Sequence, residues 1–220
     1  MAVTKAPEDR YTAEPFVPGH GGLTALREAA ARCRGCPLHR DATQTVFGAG
    51  PADAELMLVG EQPGDQEDRQ GEPFVGPAGK LLDRALAEAG IDPGEAYVTN
   101  AVKHFKFTQA EPRKRRIHKA PGLREAAACG PWLAAEQAIV EPKLIVVLGA
   151  TAGKALLGSS FRVGQVRGTV PEEETHGRPQ RLVPTVHPSA VLRADDREGA
   201  YRGFVRDLRT AARLLSQRSP

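Results

Sequence analysis

Four short apolar runs, separated by stretches of helical periodicity, constrain this chain more than any other feature. They are residues 55–60 (ELMLVG), 97–102 (YVTNAV), 143–149 (KLIVVLG) and 182–186 (LVPTV). Runs this short, bounded by Gly or polar residues, read as buried strands rather than helices. Between them, residues 23–31, 78–89, 123–140, 151–157 and 197–217 carry apolar side chains at helical spacing. The last of these places Tyr201, Phe204, Val205, Leu208, Ala211 and Leu215 on one stripe. Strands alternating with helices predict an α/β fold: a single three-layer αβα domain with a central, mainly parallel, four-stranded sheet. The 220 residues suffice for one such domain with a buried core. No internal repeat divides them. Residues 1–21, rich in Pro and Gly and without periodicity, are expected to form a flexible arm ahead of a domain spanning 22–220.

Composition excludes several classes. With 40% hydrophobic and 26% charged residues the chain is neither disordered nor fibrous. No apolar run reaches the roughly 18–20 residues that cross a bilayer, and the N-terminus lacks the apolar core of a secretory signal. A cytoplasmic location is therefore expected. The net charge of +3 conceals a strong asymmetry. Lys103, Lys106, Arg113, Lys114, Arg115, Arg116 and Lys119 lie within seventeen residues that contain one acid, Glu111, so this window carries +6 and the remainder −3. Such a patch is the electrostatic footprint of a polyanion.

The three cysteines are Cys33, Cys36 and Cys129. An odd number in an intracellular chain argues against a disulfide framework. Cys33 and Cys36 form a CxxC pair, able to chelate one ion from a single turn. With Cys129 and a histidine they would complete a soft, four-ligand centre, and zinc and an iron–sulfur cluster fit that donor set equally well.

In a parallel α/β sheet, ligands bind beyond the carboxyl ends of the strands. Three polar segments fall there: Gly60-Glu61-Gln62-Pro63-Gly64 after the first strand, Asn100 at the end of the second, and His187-Pro188-Ser189 after the last. Together with Gly71-Glu72-Pro73-Phe74-Val75-Gly76-Pro77-Ala78-Gly79-Lys80, these segments follow one order along the chain. That order resembles the uracil-DNA glycosylase superfamily, in particular its iron–sulfur-containing family-four branch, from about Cys33 to the last helix. Two departures set the chain apart. His104 stands where the branch carries a third cysteine, and the stretch from His104 to Cys129 is longer than usual. The excess includes Lys114-Arg115-Arg116-Ile117-His118. This KRRIH insertion, together with Gln62 in GEQPG, resembles the UdgX subfamily.

The resemblance implies an enzyme that excises uracil from DNA and then becomes covalently bonded to the abasic DNA through His118, acting once, as a monomer. The alternatives are ordinary turnover with water as nucleophile, and a non-catalytic binder of uracil-containing or single-stranded DNA. In this reading Phe74 stacks on the flipped base, and Asn100 reads its edge, donating to O4 and accepting from N3–H. His187, helped by backbone N–H groups near Gln62, stabilises the charge that develops on O2. Glu61 balances charge at the sugar or takes the imidazole proton. Gly60 and Asp65 complete the substrate contacts, while Arg113, Lys114, Arg115, Arg116 and Ser189 meet the DNA backbone. Cys33, Cys36, His104 and Cys129 would hold a [4Fe-4S] cluster.

Overall fold

The computed structural model describes residues 11–111 and 114–217. The apolar runs form the strands β1 (Leu56–Gly60), β2 (Ala96–Asn100), β5 (Leu144–Leu148) and β7 (Arg178–Thr185). Two very short strands, β3 (Phe107–Thr108) and β4 (Ile117–His118), pair as an antiparallel ribbon outside the main sheet. The helices are α1 (Gly22–Ala30), α2 (Asp65–Gln70), α3 (Pro77–Ala89), α4 (Leu123–Val140), α5 (Ala150–Leu157), α6 (Val163–Val166), α7 (Pro188–Arg193) and α8 (Arg197–Ser216).

The main sheet has the order β2-β1-β5-β7-β6, with four parallel strands and an antiparallel edge, β6 (Glu172–Thr175). The expected count of four strands is therefore corrected to five, and the sheet is mixed. Three consecutive glutamates hid β6, since acidic residues are poor strand formers and all three are exposed here. Its partner β7 starts four residues before the apolar run and continues through Pro184, which lacks an N–H. The Leu182 N–H points toward the β6 side, where it donates to the Pro171 carbonyl. By the two-residue period of a strand, Pro184 faces that same side, where β6 has already ended.

Alternate strand residues supply the two faces. Leu56, Leu58, Leu144, Val146 and Val183 pack under α3 and α8, whose Leu82, Leu86, Phe204 and Leu208 meet them. Met57, Val59, Ile145, Val147 and Leu182 pack against Leu133 of α4 and Leu156 of α5. Both faces are covered, as a parallel sheet requires, and the three-layer expectation holds.

A third apolar cluster joins Leu26 and Ala30 of α1, Cys33, Cys36, Cys129, Trp132 and Phe47. Here the flexible-arm expectation needs correction. Ala13 is 1% exposed, and its N–H donates to the carbonyl of Ala128 in α4. Tyr11, Phe16 and Val17 pack against the same cluster, so residues 11–17 belong to the folded body. Residues 1–10 of the expected arm lie outside the described residues. Among the described residues, no helix is long and apolar enough to cross a membrane.

Candidate active site

The strand order reverses between β1 and β5, and the carboxyl ends of β1, β2 and β7 open there onto a cleft of about 680 Å³. Glu61, Gln62, Phe74, Asn100, His118, His187 and Ser189 all line it. The fold thus gathers residues from five separate segments. It also adds Glu67, Arg115, Leu192 and Arg193.

The floor is built around Gly60. A β-carbon on this residue would lie 2.4 Å from Asn100 Oδ1 and 2.6 Å from the Phe74 ring, so glycine keeps the gap between amide and ring open. Asn100 is 3% exposed, and its Oδ1 is the one buried side-chain polar atom without a partner among the described residues. An unpaired buried acceptor normally costs about 1–3 kcal/mol, so its place is explained by a ligand that donates to it. Phe74 sits at φ 58°, in the left-handed region that is strained for a bulky side chain. What allows this turn is Gly79, where a β-carbon would fall 1.4 Å from the Phe74 carbonyl oxygen. Glu67 clamps the same loop. Its Oε1 accepts from the Gly76 N–H at 2.7 Å and its Oε2 from the Gly64 N–H at 3.1 Å. The spacing of a glycine helix cap with Glu three positions later is a signal for this clamp that the sequence reading passed over.

His187 caps α7 and is held as one tautomer. Its Nδ1 accepts from the Ser189 N–H at 3.2 Å, which leaves the proton on Nε2 as a donor on the cleft side. Burial, reinforced by the charges of His118 and Arg193, pushes its pKa down to about 4, so the ring is neutral at pH 7. Its ring centroid lies 6.1 Å from that of Phe74.

His118 projects from β4 at the rim with its side chain half exposed, and its Nε2 stands 3.3 Å from Glu61 Oε1. The other carboxylate oxygen of Glu61 accepts from the Thr151 hydroxyl at 2.5 Å. Thr151 lies in the first turn of α5, so this bond spans the point where the strand order reverses. Nothing in the sequence pointed to Thr151, because its partner lies ninety positions away.

The Gln62 side chain is engaged within the protein. Its side-chain amide grips the ribbon that carries His118, donating to the carbonyls of Lys106 and Lys119 and accepting from the Lys106 N–H, each at 3.1 Å. Lys106 precedes β3 and Lys119 follows β4, and the two are bonded to each other, so Gln62 fastens the ribbon at that one end.

Two residues expected to contact the substrate also bind each other. The Arg116 guanidinium is 9% exposed, bound to Asp65 Oδ1 at 2.5 Å and Asp68 Oδ2 at 2.6 Å, and lies over the Phe105 and Phe107 rings. The Arg116 guanidinium and the Asp65 carboxylate thus pin the base of the ribbon, and Asp65 is not among the residues that line the cleft. The attraction is strong enough that the Asp65 carboxyl lies below its usual pKa despite some burial, through hydrogen bonds from Arg69 and Arg116. Lys114 is exposed and pairs with Glu111, and Lys106 pairs with Glu125. Arg113 lies outside the described residues. Arg115 lines the cleft, and neither it nor Lys119 has an ion-pair partner among the described residues.

Cys33, Cys36 and Cys129 are all buried in the cluster beside α4. Cys33 and His104 line one cavity of about 550 Å³, and Cys36 lines an adjoining one. The Trp132 indole N–H and the Lys103 N–H each donate to a sulfur, Cys33 Sγ and Cys129 Sγ respectively, at 3.3 Å. Burial pushes the Cys129 thiol up to about 12, and it pushes His104 down to about 4 with a smaller contribution from His39. His104 is thus a neutral imidazole, and its Nε2 shares a hydrogen bond with Thr45 Oγ1 at 2.9 Å. Among the described residues no three His, Cys, Asp or Glu side chains gather as ligands of a single metal ion. The donor set nevertheless suits a soft polynuclear group. Each ligand of a cluster binds a different iron, so its donors stand further apart than those of one ion, and a soft cation stabilises thiolates that burial alone would keep protonated.

A cleft between the carboxyl ends of a parallel sheet, holding a ring, an unpaired amide acceptor and a neutral imidazole donor, defines an α/β protein built to take a small planar polar ligand. The comparisons give it a lineage. Residues 47–209 match the family model described as Uracil DNA glycosylase superfamily. Its relatives include the Type-4 uracil-DNA glycosylase of Thermotoga maritima, 40% identical over 172 residues, or 78% of this chain and 83% of the relative. The enzyme of the same name from Pyrobaculum aerophilum is 36% identical over 82% of this chain and 89% of its own length. That from Archaeoglobus fulgidus is 32% identical over 86% and 90%. The chain belongs to the uracil-DNA glycosylase superfamily.

Proposed function

We propose that this protein excises uracil from DNA and then bonds to the abasic sugar through His118. One observation carries the second half: His118 Nε2 lies 3.3 Å from a Glu61 carboxylate anchored by Thr151, in the same cleft as Asn100 and His187. Superfamily membership, with Type-4 uracil-DNA glycosylases among the relatives, supports the first half.

A base stacked in a duplex is out of reach, so the nucleotide enters flipped or from a single strand. Its ring would lie against Phe74, with N3–H donating to the unpaired Asn100 Oδ1 and O4 accepting from the Asn100 amide. Cytosine reverses those demands and leaves buried groups unpaired. As the C1′–N1 bond breaks, its electron pair leaves with uracil, and the charge on O2 meets the Nε2–H of His187. Cationic C1′ is then attacked by the His118 Nε2 lone pair. Attack by Nε2 uses the Nδ1–H tautomer. The imidazolium that forms gives up its Nδ1 proton to solvent while the departing uracil anion takes one up, and the Glu61 carboxylate balances the positive charge at the sugar, so charge and atoms balance. The product is a C1′–Nε2 bond to an imidazole, a poor leaving group once neutral, so the protein would act once.

Cys33, Cys36, His104 and Cys129 would hold a [4Fe-4S] cluster whose contribution is a structural crosslink between the CxxC turn, the segment after β2 and α4. Arg115, Lys119 and Ser189 would meet the DNA backbone, with Arg113 and Lys114 beside them.

A uracil-containing oligonucleotide mixed with the protein and run on a denaturing gel tests the reading. A stable slow band with release of free uracil is expected. Released uracil without a slow band would mean water is the nucleophile, and neither signal would mean binding alone.

A further inference from the structure

We propose that Lys103, seated by Glu136, is a positioning residue for uracil recognition: its ammonium holds the main-chain carbonyl of Asn100 and thereby aims the side chain that reads the base. The inference rests on the uracil reading of the cleft.

Lys103 and Glu136 are 1% and 0% exposed. Such groups are almost never fully buried unless paired, and this pair is fully occupied. The Lys103 ammonium donates to Glu136 Oε2 at 2.5 Å, Thr99 Oγ1 at 2.6 Å and the Asn100 carbonyl at 2.8 Å, using all three of its hydrogens. Glu136 Oε1 accepts from the Gly48 N–H at 3.1 Å and from the Tyr97 and Thr99 hydroxyls at 2.9 Å. Replacing a buried ion pair with apolar side chains is often neutral or stabilising, so stability is a weak reason for this one. A fixed point in the fold is a better reason.

That point sits where the sheet stops helping. The ladder between β1 and β2 ends at Gly60 and Asn100, and β2 is an edge strand. On its far side β2 is bridged by Ala49 at Val98, and two residues further on the Asn100 carbonyl is held by Lys103 instead. The Asn100 side-chain oxygen has no partner among the described residues either. Its aim is therefore inherited from the backbone, and the backbone there is tied by Lys103. The Lys103 main-chain N–H meanwhile bonds Cys129 Sγ, which moors the same residue to the cysteine layer.

Two variants separate a positioning role from a merely structural one. Glu136→Gln keeps the Nζ donor on the Asn100 carbonyl, while Lys103→Met with Glu136→Gln removes it without leaving a lone buried charge. The readout is the binding preference for a single-stranded oligonucleotide carrying one 2′-fluoro-2′-deoxyuridine, whose fluorine resists bond cleavage, over the same strand with deoxycytidine. Glu136→Gln is expected to keep the wild-type preference. The double variant is expected to lose about tenfold of it, as for one hydrogen bond from a charged donor, with unchanged affinity for the cytosine strand and an unchanged circular dichroism spectrum. A double variant that keeps its preference overturns the proposal. So does a Glu136→Gln variant that loses as much as the double, or an equal loss of affinity for both strands. A wild-type protein with no preference for uracil overturns the underlying reading of the cleft, and this inference with it.

Discussion

Gln62 Nε2 donates to the main-chain carbonyl of Lys119 at 3.1 Å, one residue beyond His118. The same amide grips Lys106, which faces Lys119 at the same end of the ribbon, with two further bonds. The glutamine is 6% exposed and wholly committed to holding the strand that carries the histidine. Changing Gln62 to Ala removes all three bonds and should loosen the ribbon without touching Asn100 or Phe74. At about 1–3 kcal/mol for the polar groups left unpaired, covalent capture should slow roughly tenfold to a hundredfold. Uracil release in single turnover should slow much less. Equal slowing of both would show that Gln62 acts on the base itself.

Replacing His118 with Ser is expected to abolish the slow band on a denaturing gel. The contacts of Asn100, Phe74 and His187 with the base survive the change, and water can occupy the space beside C1′. Free uracil should still be released. Peptide mapping of the wild-type adduct should place the nucleotide remnant on His118, and a remnant on any other residue would sink the mechanism.

Arg115 and Arg116 are neighbours with opposite roles. Arg115 lines the cleft, so Arg115→Ala should weaken DNA binding and lower the salt dependence by about 0.7 units of log K per log salt on single strands, the value for one lost phosphate contact. Arg116→Ala instead strips a guanidinium from Asp68, which is 0% exposed, leaving a buried carboxylate short of a partner. Breaking such a pair costs about 3–5 kcal/mol, so thermal unfolding should shift markedly. If Arg116→Ala alters only the salt slope, the inward clasp is not what holds the ribbon.

His187 ties activity to pH. Its folded pKa is depressed to about 4, below the ordinary value of 6.5, so the unfolded chain binds its proton first as pH falls. The stability this group contributes is therefore present above about pH 6.5 and is lost progressively down to about pH 4. Protonation also turns Nδ1 into a donor, which breaks its bond from the Ser189 N–H. Uracil release at saturating protein should hold from pH 8 to near 5 and fall through about 4. His187→Ala should lower it by about 10²–10³-fold at neutral pH, the usual effect of losing one donor to a developing oxyanion. A His187→Ala protein as fast as wild type would remove the ring from the reaction.

Protein purified without oxygen should be brown, with iron and acid-labile sulfide in equal amounts. If the cluster is bound, removing it should lower thermal stability, because the buried Cys36 and Cys129 would lose the cation that would hold them as thiolates. A colourless, fully stable preparation containing zinc would replace the cluster with a single ion.

Local pattern determined much of this protein. The cores of β1, β2, β5 and β7 and the helices α3, α4 and α8 were legible because hydrophobic spacing records which face of an element is buried. Gly60, Glu61, Asn100 and His187 could be gathered from the sequence because they stand at strand ends, where a parallel sheet places its ligands, whereas Phe74 came from the family resemblance alone. The tertiary structure decided what depends on partners distant in the chain. It turned much of the basic window inward, since Lys103 meets Glu136, Lys106 meets Glu125, and Arg116 meets Asp65 about fifty positions earlier. A count of charges along the chain cannot see such pairing. It set Thr151 on Glu61 and Gln62 under the ribbon of His118, and it docked residues 11–17 against α4. It also recruited Glu172–Thr175 as an edge strand, which the hydrogen bonds of β7 stabilise against the poor strand propensity of glutamate. Periodicity is a property of neighbours in sequence, whereas hydrogen bonds and ion pairs form between neighbours in space, and only folding brings those together.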